Sequence, residues 1–182
     1  MFRPDLYFTA IWMIDFKALS QRGIDYLLID VDSTIADHHS KTIDPRAKEV
    51  LLEAFNEGYI KNACLVSNVM YGKRRMRRVA SMAGELGIPF VGAPFFCAKP
   101  NASPFLTGLE KMNASPGNTA MIGDQIFTDI LGGNRLGMLT ILIKPLGKIH
   151  WTTRLLLRRA RERRLLRKLG LKPDDNDKDI II

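Results

Sequence analysis

Five short apolar runs alternate with longer segments of mixed polarity along this chain of 182 residues. The runs are Tyr26–Asp30 (YLLID), Ala63–Ser67 (ACLVS), a shorter stretch around Ile88–Val91, Thr119–Asp124 (TAMIGD) and Met138–Ile143 (MLTILI). Apolar runs of this length, bounded by turn residues, read as strands. The segments between them carry helix signals. Pro45–Glu57 has Asp44 to cap it, Pro45 at its first position and Gly58 just past its end. A second helix is predicted near Tyr71–Leu86, stopped by Gly87. A third starts at Ser103-Pro104 and runs to about Asn113, and a fourth follows Asp124 and ends at Leu136, before Gly137. Five apolar strands separated by helices predict an α/β fold: a doubly wound, Rossmann-like parallel sheet of five strands with helices on both faces.

Composition adds limits. The chain is 46% hydrophobic and 25% charged, as in a single globular domain and unlike a disordered one. No apolar run reaches the roughly 18–20 residues that span a bilayer. The early run Tyr7–Ile14 is short, lies between Arg3-Pro4-Asp5 and Asp15, and lacks the basic start and small-residue cleavage site of a signal peptide. Cys64 and Cys97 are the only cysteines, so neither a disulfide framework nor a zinc site is expected, and a reducing cytoplasm is the expected location. Neither has an arginine six positions on, which disfavours a cysteine-nucleophile phosphatase, and Cys64 reads as a buried strand residue.

Three predicted strands end in polar groups: Asp30/Asp32, Ser67/Asn68 and Gly123/Asp124. In open α/β sheets ligands bind outside the carboxyl ends of the strands, so these groups converge if the fold is as predicted. Asp30 and Asp32 are two apart on a strand and point to the same side. Left alone they repel, and one has its pKa raised. Several carboxylates without His or Cys are hard oxygen ligands suited to Mg²⁺, with Asp124 and Asp129 as further candidates. Beside a divalent ion, a carboxylate stays ionised and can attack phosphorus. An acid two residues away can protonate the leaving oxygen and then activate water. Hydroxyls of Thr34 and Ser67, and Lys99 in the loop CAKPNASPF, would meet the phosphoryl charge. A dinucleotide fingerprint fails, because LGGNRLG lacks the G-x-G-x-x-G spacing, and no P-loop is present. His38 and His39, directly after the acidic pair, are expected to be exposed loop residues.

These residues, in this order, resemble the four motifs of the haloacid dehalogenase (HAD) phosphatase superfamily: D-x-D-x-T at Asp30–Thr34, Ser67 at a strand end, Lys99 before a helix, and GDQIFTD with Asp124 and Asp129. The resemblance implies Asp30 as nucleophile and Asp32 as general acid/base. It implies that Thr34, Ser67, Asn68 and Lys99 bind the phosphoryl oxygens. Mg²⁺ would be held by Asp30, the Asp32 backbone carbonyl and Asp124, with Asp129 in support. The N-terminal segment through Ile35, GDQIFTDILGGNRLGMLTILIKP and RRARERRLLRKLG are similar to the YqeG-like branch, HAD type IIIA. Ser33 departs from the commoner Asn of that motif. YqeG-like proteins resemble phosphatases of phosphatidylglycerophosphate. The spacings between the motifs leave no room for a cap domain, which suits a bulky phosphorylated substrate with its body outside the site.

Charge is unevenly spread. Of the net +8, residues 150–169 hold +7, followed by the acidic tail DDNDKDIII. The expected organisation is a capless HAD domain over 1–148, a basic helix over 149–170 and a flexible tail over 171–182. Trp151, Leu155, Leu165, Leu166 and Leu169 fall in one helical stripe, but Arg158 and Glu162 interrupt it. Docking on the domain and peripheral binding to anionic lipid at the inner membrane face both remain open. Lys73, Arg74, Arg75, Arg77 and Arg78 form a second basic cluster, either a solvated helix face or an attractor for an anionic substrate or membrane. The alternatives are a phosphatase of a soluble ester or phosphoprotein, or a nucleic-acid- or ribosome-associated protein with an idle site, although no nucleic-acid reader motif is present.

Overall fold

Leu27, Leu28 and Ile29 are all fully buried, and their neighbours show why. Leu27 and Ile29 pack in one apolar cluster with Leu51, Leu65 and Met82. Leu28 packs in another with Val66, Phe105, Leu109 and Met121. Successive side chains of a strand point to opposite faces, so this strand carries a core on each side. The computed structural model describes residues 1–38, 40–69, 72–147, 153–171 and 180–181. Its strands are β1 (Leu6–Phe8), β2 (Tyr26–Ile29), β3 (Asn62–Asn68), β4 (Phe90–Ala93), β5 (Thr119–Gly123), β6 (Leu139–Ile143) and β7 (Ile180–Ile181). They lie in the order β4-β3-β2-β5-β6-β1-β7. The first six are parallel; β7 pairs antiparallel with β1.

The helices are α1 (Phe16–Gln21), α2 (Pro45–Asn56), α3 (Lys73–Leu86), α4 (Ala102–Met112), α5 (Leu131–Leu136) and α6 (Thr153–Lys168). α1, α2 and α3 cover one face through Phe16, Ala47, Leu51, Val79 and Met82. α4 covers the other through Phe105, Leu109 and Met112. The start of α2 follows its sequence signals: the Asp44 carboxylate accepts from the Arg46 N–H and Pro45 occupies the first turn. Tyr71 lies outside the described residues, and α3 begins at Lys73.

The parallel sheet has six strands where the sequence pattern predicted five. The extra one, β1, has only three residues, too few to announce itself locally. It is held by partners 135 positions away: the Asp5 carboxylate accepts from the Thr140 N–H at 2.7 Å and its hydroxyl at 2.8 Å. The segment after β5 also differs from prediction. A π-turn over Ile126–Ile130 precedes α5, with the Gln125 carbonyl accepting from the N–H groups of both Asp129 (2.9 Å) and Ile130 (3.3 Å). Such turns are rare and concentrate at functional sites.

The acidic break in the α6 stripe has a structural reason. Glu162 is 4% exposed and accepts a 3.1 Å hydrogen bond from the Ile126 N–H, the first residue of the π-turn. Leu165, Leu166 and Leu169 pack beside it against Tyr7, Ile126, Ile130, Leu142 and Leu171. Trp151 and residues 172–179 lie outside the described residues. Glu162→Leu is expected to lower stability by about 1–3 kcal/mol, the cost of stranding a buried N–H, read as a lower urea midpoint. Glu162→Gln, which keeps an acceptor, should lose less.

Candidate active site

The carboxyl ends of β2, β3 and β5 meet at one place. Asp30 extends the pairing of β2, its N–H donating to the Ile122 carbonyl at 2.9 Å. Asp30, Asp124 and Asp129 are buried, and one carboxylate oxygen from each lies within 4.8 Å of the others. Lys99 sits among them with 4% exposure. Its Nζ donates to Asp30 Oδ1 at 2.5 Å and to the Val66 carbonyl at 2.7 Å, and lies 2.8 Å from Asp129 Oδ1. The fully buried Thr34 places its hydroxyl 3.5 Å from Asp30 Oδ2, and Ser67 is buried at the end of β3.

Local backbone geometry makes this packing possible. A Cβ at Gly123 would lie 2.4 Å from Asp129 Oδ2, so any larger residue displaces that carboxylate. The π-turn turns Asp129 back toward the strand end, where its Oδ2 accepts from the Gln125 N–H at 3.1 Å. Asn68, expected to bind phosphate, contacts the Lys99 backbone: its Oδ1 accepts from the Lys99 N–H at 2.8 Å and its Nδ2 donates to the Lys99 carbonyl at 3.4 Å. It is a clamp on the Lys99 backbone. Ser33 has φ +65°, a left-handed conformation that Asn tolerates better than Ser. The sequence difference at that position therefore falls on turn geometry.

Asp32 lies apart from the acidic cluster. Its Oδ1 accepts from the Arg78 guanidinium at 2.7 Å and is 3.5 Å from His38 Nδ1. Burial works against its charge, but hydrogen bonding to His38 and the Arg78 guanidinium outweigh this and hold Asp32 below the usual carboxylate range. In this state Asp32 is an anion, equipped to take a proton rather than to give one. His38 is half-buried, where an exposed loop residue was expected, and faces Asp32; its pKa is raised chiefly by the hydrogen bond to Asp32. His39 lies outside the described residues. Arg78 also donates to the carbonyls of Ser40 and Asp37. These bonds tie Asp37 and Ser40 to α3 and separate Arg78 from the exposed Lys73, Arg74, Arg75 and Arg77. No sequence signal distinguished Arg78 from the other four.

The electrostatics of the cluster are unbalanced. Burial pushes Asp30 well above the usual carboxylate range; Lys99 pulls it down, while the Asp129 and Asp124 charges push it up again. For Lys99, burial opposes the charge, but the Asp129 and Asp30 carboxylates prevail and hold the ammonium above the usual lysine range. Three buried carboxylates against one ammonium make an all-oxygen donor set of the kind that suits a hard divalent cation such as Mg²⁺. Cys64 is buried at β3 with its thiol pushed up to about 12 by desolvation, so it is no nucleophile.

A parallel α/β sheet with this acidic and lysine-bearing strand edge defines the HAD class of hydrolases, and the comparisons with known proteins agree. Residues 96–148 match a family model described as HAD-hydrolase-like. Two solved structures share the fold at a TM-score of 0.50. One is an uncharacterised protein from Listeria monocytogenes serotype 4b, 19% identical, covering 70% of this chain and 84% of its own. The other is a haloacid dehalogenase-like hydrolase from Brucella suis 1330, 12% identical, covering 76% of this chain and 98% of its own. The chain is 33% identical over 94% of its length, and 93% of the relative's, to the probable phosphatase YqeG of Bacillus subtilis (strain 168). It therefore belongs to the YqeG-like family of HAD phosphatases. It is also 32% identical over 79% of its length to the chloroplastic phosphatidylglycerophosphate phosphatase 1 of Chlamydomonas reinhardtii, of which it spans about half (53%).

If a divalent ion balances the three carboxylates, Mg²⁺ should raise the melting temperature of the wild-type protein by several degrees, given that ~1 kcal/mol moves a domain of this size by about 2–4 °C. Asp124→Asn should abolish most of that shift in a thermal melt. An equal shift in both proteins would place the ion elsewhere.

Proposed function

We propose that this protein is a Mg²⁺-dependent phosphomonoesterase that works through a phosphoaspartyl intermediate and acts on a lipid phosphate such as phosphatidylglycerophosphate. The observation that carries the chemistry is the Asp30 carboxylate, held against Lys99 and beside Asp124 and Asp129 at the strand ends. Asp30 attacks phosphorus in line with the leaving oxygen, and the bond to that oxygen breaks. Lys99, with Ser67 and Thr34, offsets charge on the phosphoryl oxygens. Asn68 fixes the Lys99 backbone so that its ammonium does not drift. Asp30, Asp124, Asp129 and the Asp32 backbone carbonyl would hold Mg²⁺, which when bound would keep Asp30 ionised and screen the phosphoryl charge. Asp32 serves both half-reactions. Released from Arg78, it takes up a proton from solvent and gives it to the leaving oxygen. As the resulting carboxylate it then takes a proton from the water that attacks the phosphoryl-aspartate, whose bond to Asp30 breaks. Its ionised resting state favours the second step.

Three features support a lipid substrate. α2 and β3 fill the chain from Asp32 to Ser67, while α3, β4 and a single turn fill it from Ser67 to Lys99, so we read the site as uncapped and open to a headgroup presented from a surface. Phe95 and Phe96, 51% and 84% exposed, stand edge to face 5.6 Å apart on the turn just ahead of Lys99. α3 lies alongside: its Met76 packs against Gly92 of β4, and its exposed cations suit an anionic leaflet. Among the described residues no helix is long and apolar enough to cross a membrane, so contact with a bilayer would be peripheral. The algal relative's substrate gives the lipid its name.

Asp30→Asn should cut Mg²⁺-dependent release of phosphate from an aryl phosphate by at least about a thousandfold, as loss of a nucleophile does; full turnover in that variant would refute the mechanism. For the lipid, the wild-type protein should release phosphate from phosphatidylglycerophosphate in anionic vesicles. Phe95→Ser/Phe96→Ser should reduce co-sedimentation with those vesicles by about fivefold or more. Turnover of soluble esters alone, with sedimentation untouched, would move the substrate to the soluble class.

A further inference from the structure

A cavity of about 510 Å³ opens beside the candidate active site. It shares Asp32, Ser67 and Asn68 with that site, yet none of Asp30, Lys99, Asp124 or Asp129 lines it. It is therefore an annex to the reacting centre. Its walls carry Lys41, Arg74, Arg75, Arg77 and Arg78 together with His38. Asp32 is the one acid in the lining, and Arg78 and His38 already face it. Among the described residues, no carboxylate lies within 4.0 Å of Lys41, Arg74, Arg75 or Arg77.

A bare basic helix surface explains this arrangement poorly. Lys73/Arg77, Arg74/Arg77, Arg74/Arg78 and Arg75/Arg78 are like-charge neighbours three or four residues apart, each unfavourable on a helix. The first turn of α3 contains no acidic residue to relieve them. A concave wall of arginines with unsatisfied charge suits an anion that accepts several N–H donors at once, and phosphate geometry matches the guanidinium fork. The scissile phosphoryl group has its own partners in Lys99 and the acidic cluster's cation. The cavity's charge is left over.

We infer that the cavity lined by Lys41, Arg74, Arg75 and Arg77 binds a second anionic phosphate group of the substrate, so that the preferred substrates are phosphomonoesters carrying a phosphodiester or another phosphate one short linker from the scissile group. This deepens the proposed phosphatase function and rests on it. The subsite selects for the second phosphate, and a substrate lacking it uses only the catalytic centre. Phosphatidylglycerophosphate, with a phosphodiester one glycerol away from its terminal monoester, meets this requirement, and so does a soluble bisphosphate.

The test compares 1,3-propanediol bisphosphate with 3-hydroxypropyl phosphate, soluble substrates that differ only in the second phosphate, in the presence of Mg²⁺. The wild-type protein should show a kcat/KM at least tenfold higher for the bisphosphate, mainly through KM. Arg75→Gln/Arg77→Gln should bring that ratio close to one. Equal kcat/KM values in the wild type overturn the inference, as does a preference that survives the double substitution. A preference shown only by micellar phosphatidylglycerophosphate, and absent from the soluble pair, assigns recognition to the lipid surface and also overturns it. If the wild-type protein hydrolyses neither compound nor phosphatidylglycerophosphate, the phosphatase reading itself has failed. Calorimetric binding of the bisphosphate to Asp30→Asn then decides the subsite by itself: at least tenfold weaker binding after Arg75→Gln/Arg77→Gln upholds it, and equal binding removes it.

Discussion

The ammonium of Lys99 faces three acceptors, each from a different part of the sheet. Asp30 follows β2, the Val66 carbonyl belongs to β3, and Asp129 lies in the π-turn after β5, while Lys99 itself sits in the loop after β4. The contact is a knot joining four strands at the edge where a parallel sheet presents its binding surface. Burying a charge is tolerable only where opposite charge and hydrogen bonds surround it. The surrounding structure can be read as provision for that knot. β2 is sheathed by core on both faces, Asn68 clamps the lysine backbone, and Gly123 leaves room for Asp129.

The knot is not neutral, and the excess negative charge is where structure becomes chemistry. Three carboxylates share one ammonium, so burial and mutual repulsion push Asp30 up while Lys99 draws it down. A hard cation bound among the three carboxylates would relieve that conflict and favour an ionised Asp30. Asp32 is only two residues away but meets the opposite environment, with Arg78 and His38 stabilising its charge. Two carboxylates from one short motif are thus shifted in opposite directions by what surrounds them. The same Arg78 that holds Asp32 also donates to the carbonyls of Asp37 and Ser40, linking Asp32 to the helix that bears the surface cations.

Charge of opposite sign is kept in separate compartments. The acidic centre is buried; the arginines of α3 are exposed and line the adjoining cavity. Under the proposed function, a phosphorylated substrate would span both, with its reacting phosphorus at the acidic centre and the rest of its negative charge over the arginines. The exposed Phe95–Phe96 pair lies on the turn that leads to Lys99. The C-terminal helix is attached on the far side of β5, through Glu162 and the leucines that follow it.

Much of this was legible in the chain. Strand β2 could be read because both of its faces are apolar, and the acids after it were conspicuous against that background. Asp30, Ser67 and Asp124 could be placed at strand ends, and Lys99 in a loop before a helix, because turns and caps such as Asp44-Pro45 and Gly87 mark the element boundaries. Local signals failed where partners are distant. β1 depends on pairing with β6 and on the Asp5–Thr140 contact across the chain. Glu162 looked like a flaw in an amphipathic stripe until the Ile126 N–H was seen opposite it. Nothing local separates Arg78 from Arg77 or Asn68 from a phosphate ligand, since each role depends on which groups the sheet brings alongside. The sequence by itself determined the alternation of elements and the kinds of chemistry at their ends, because periodicity and residue type are local properties. Tertiary structure alone decided which carboxylates share a cation and which cations are left unpaired, because charge pairing depends on distance in space.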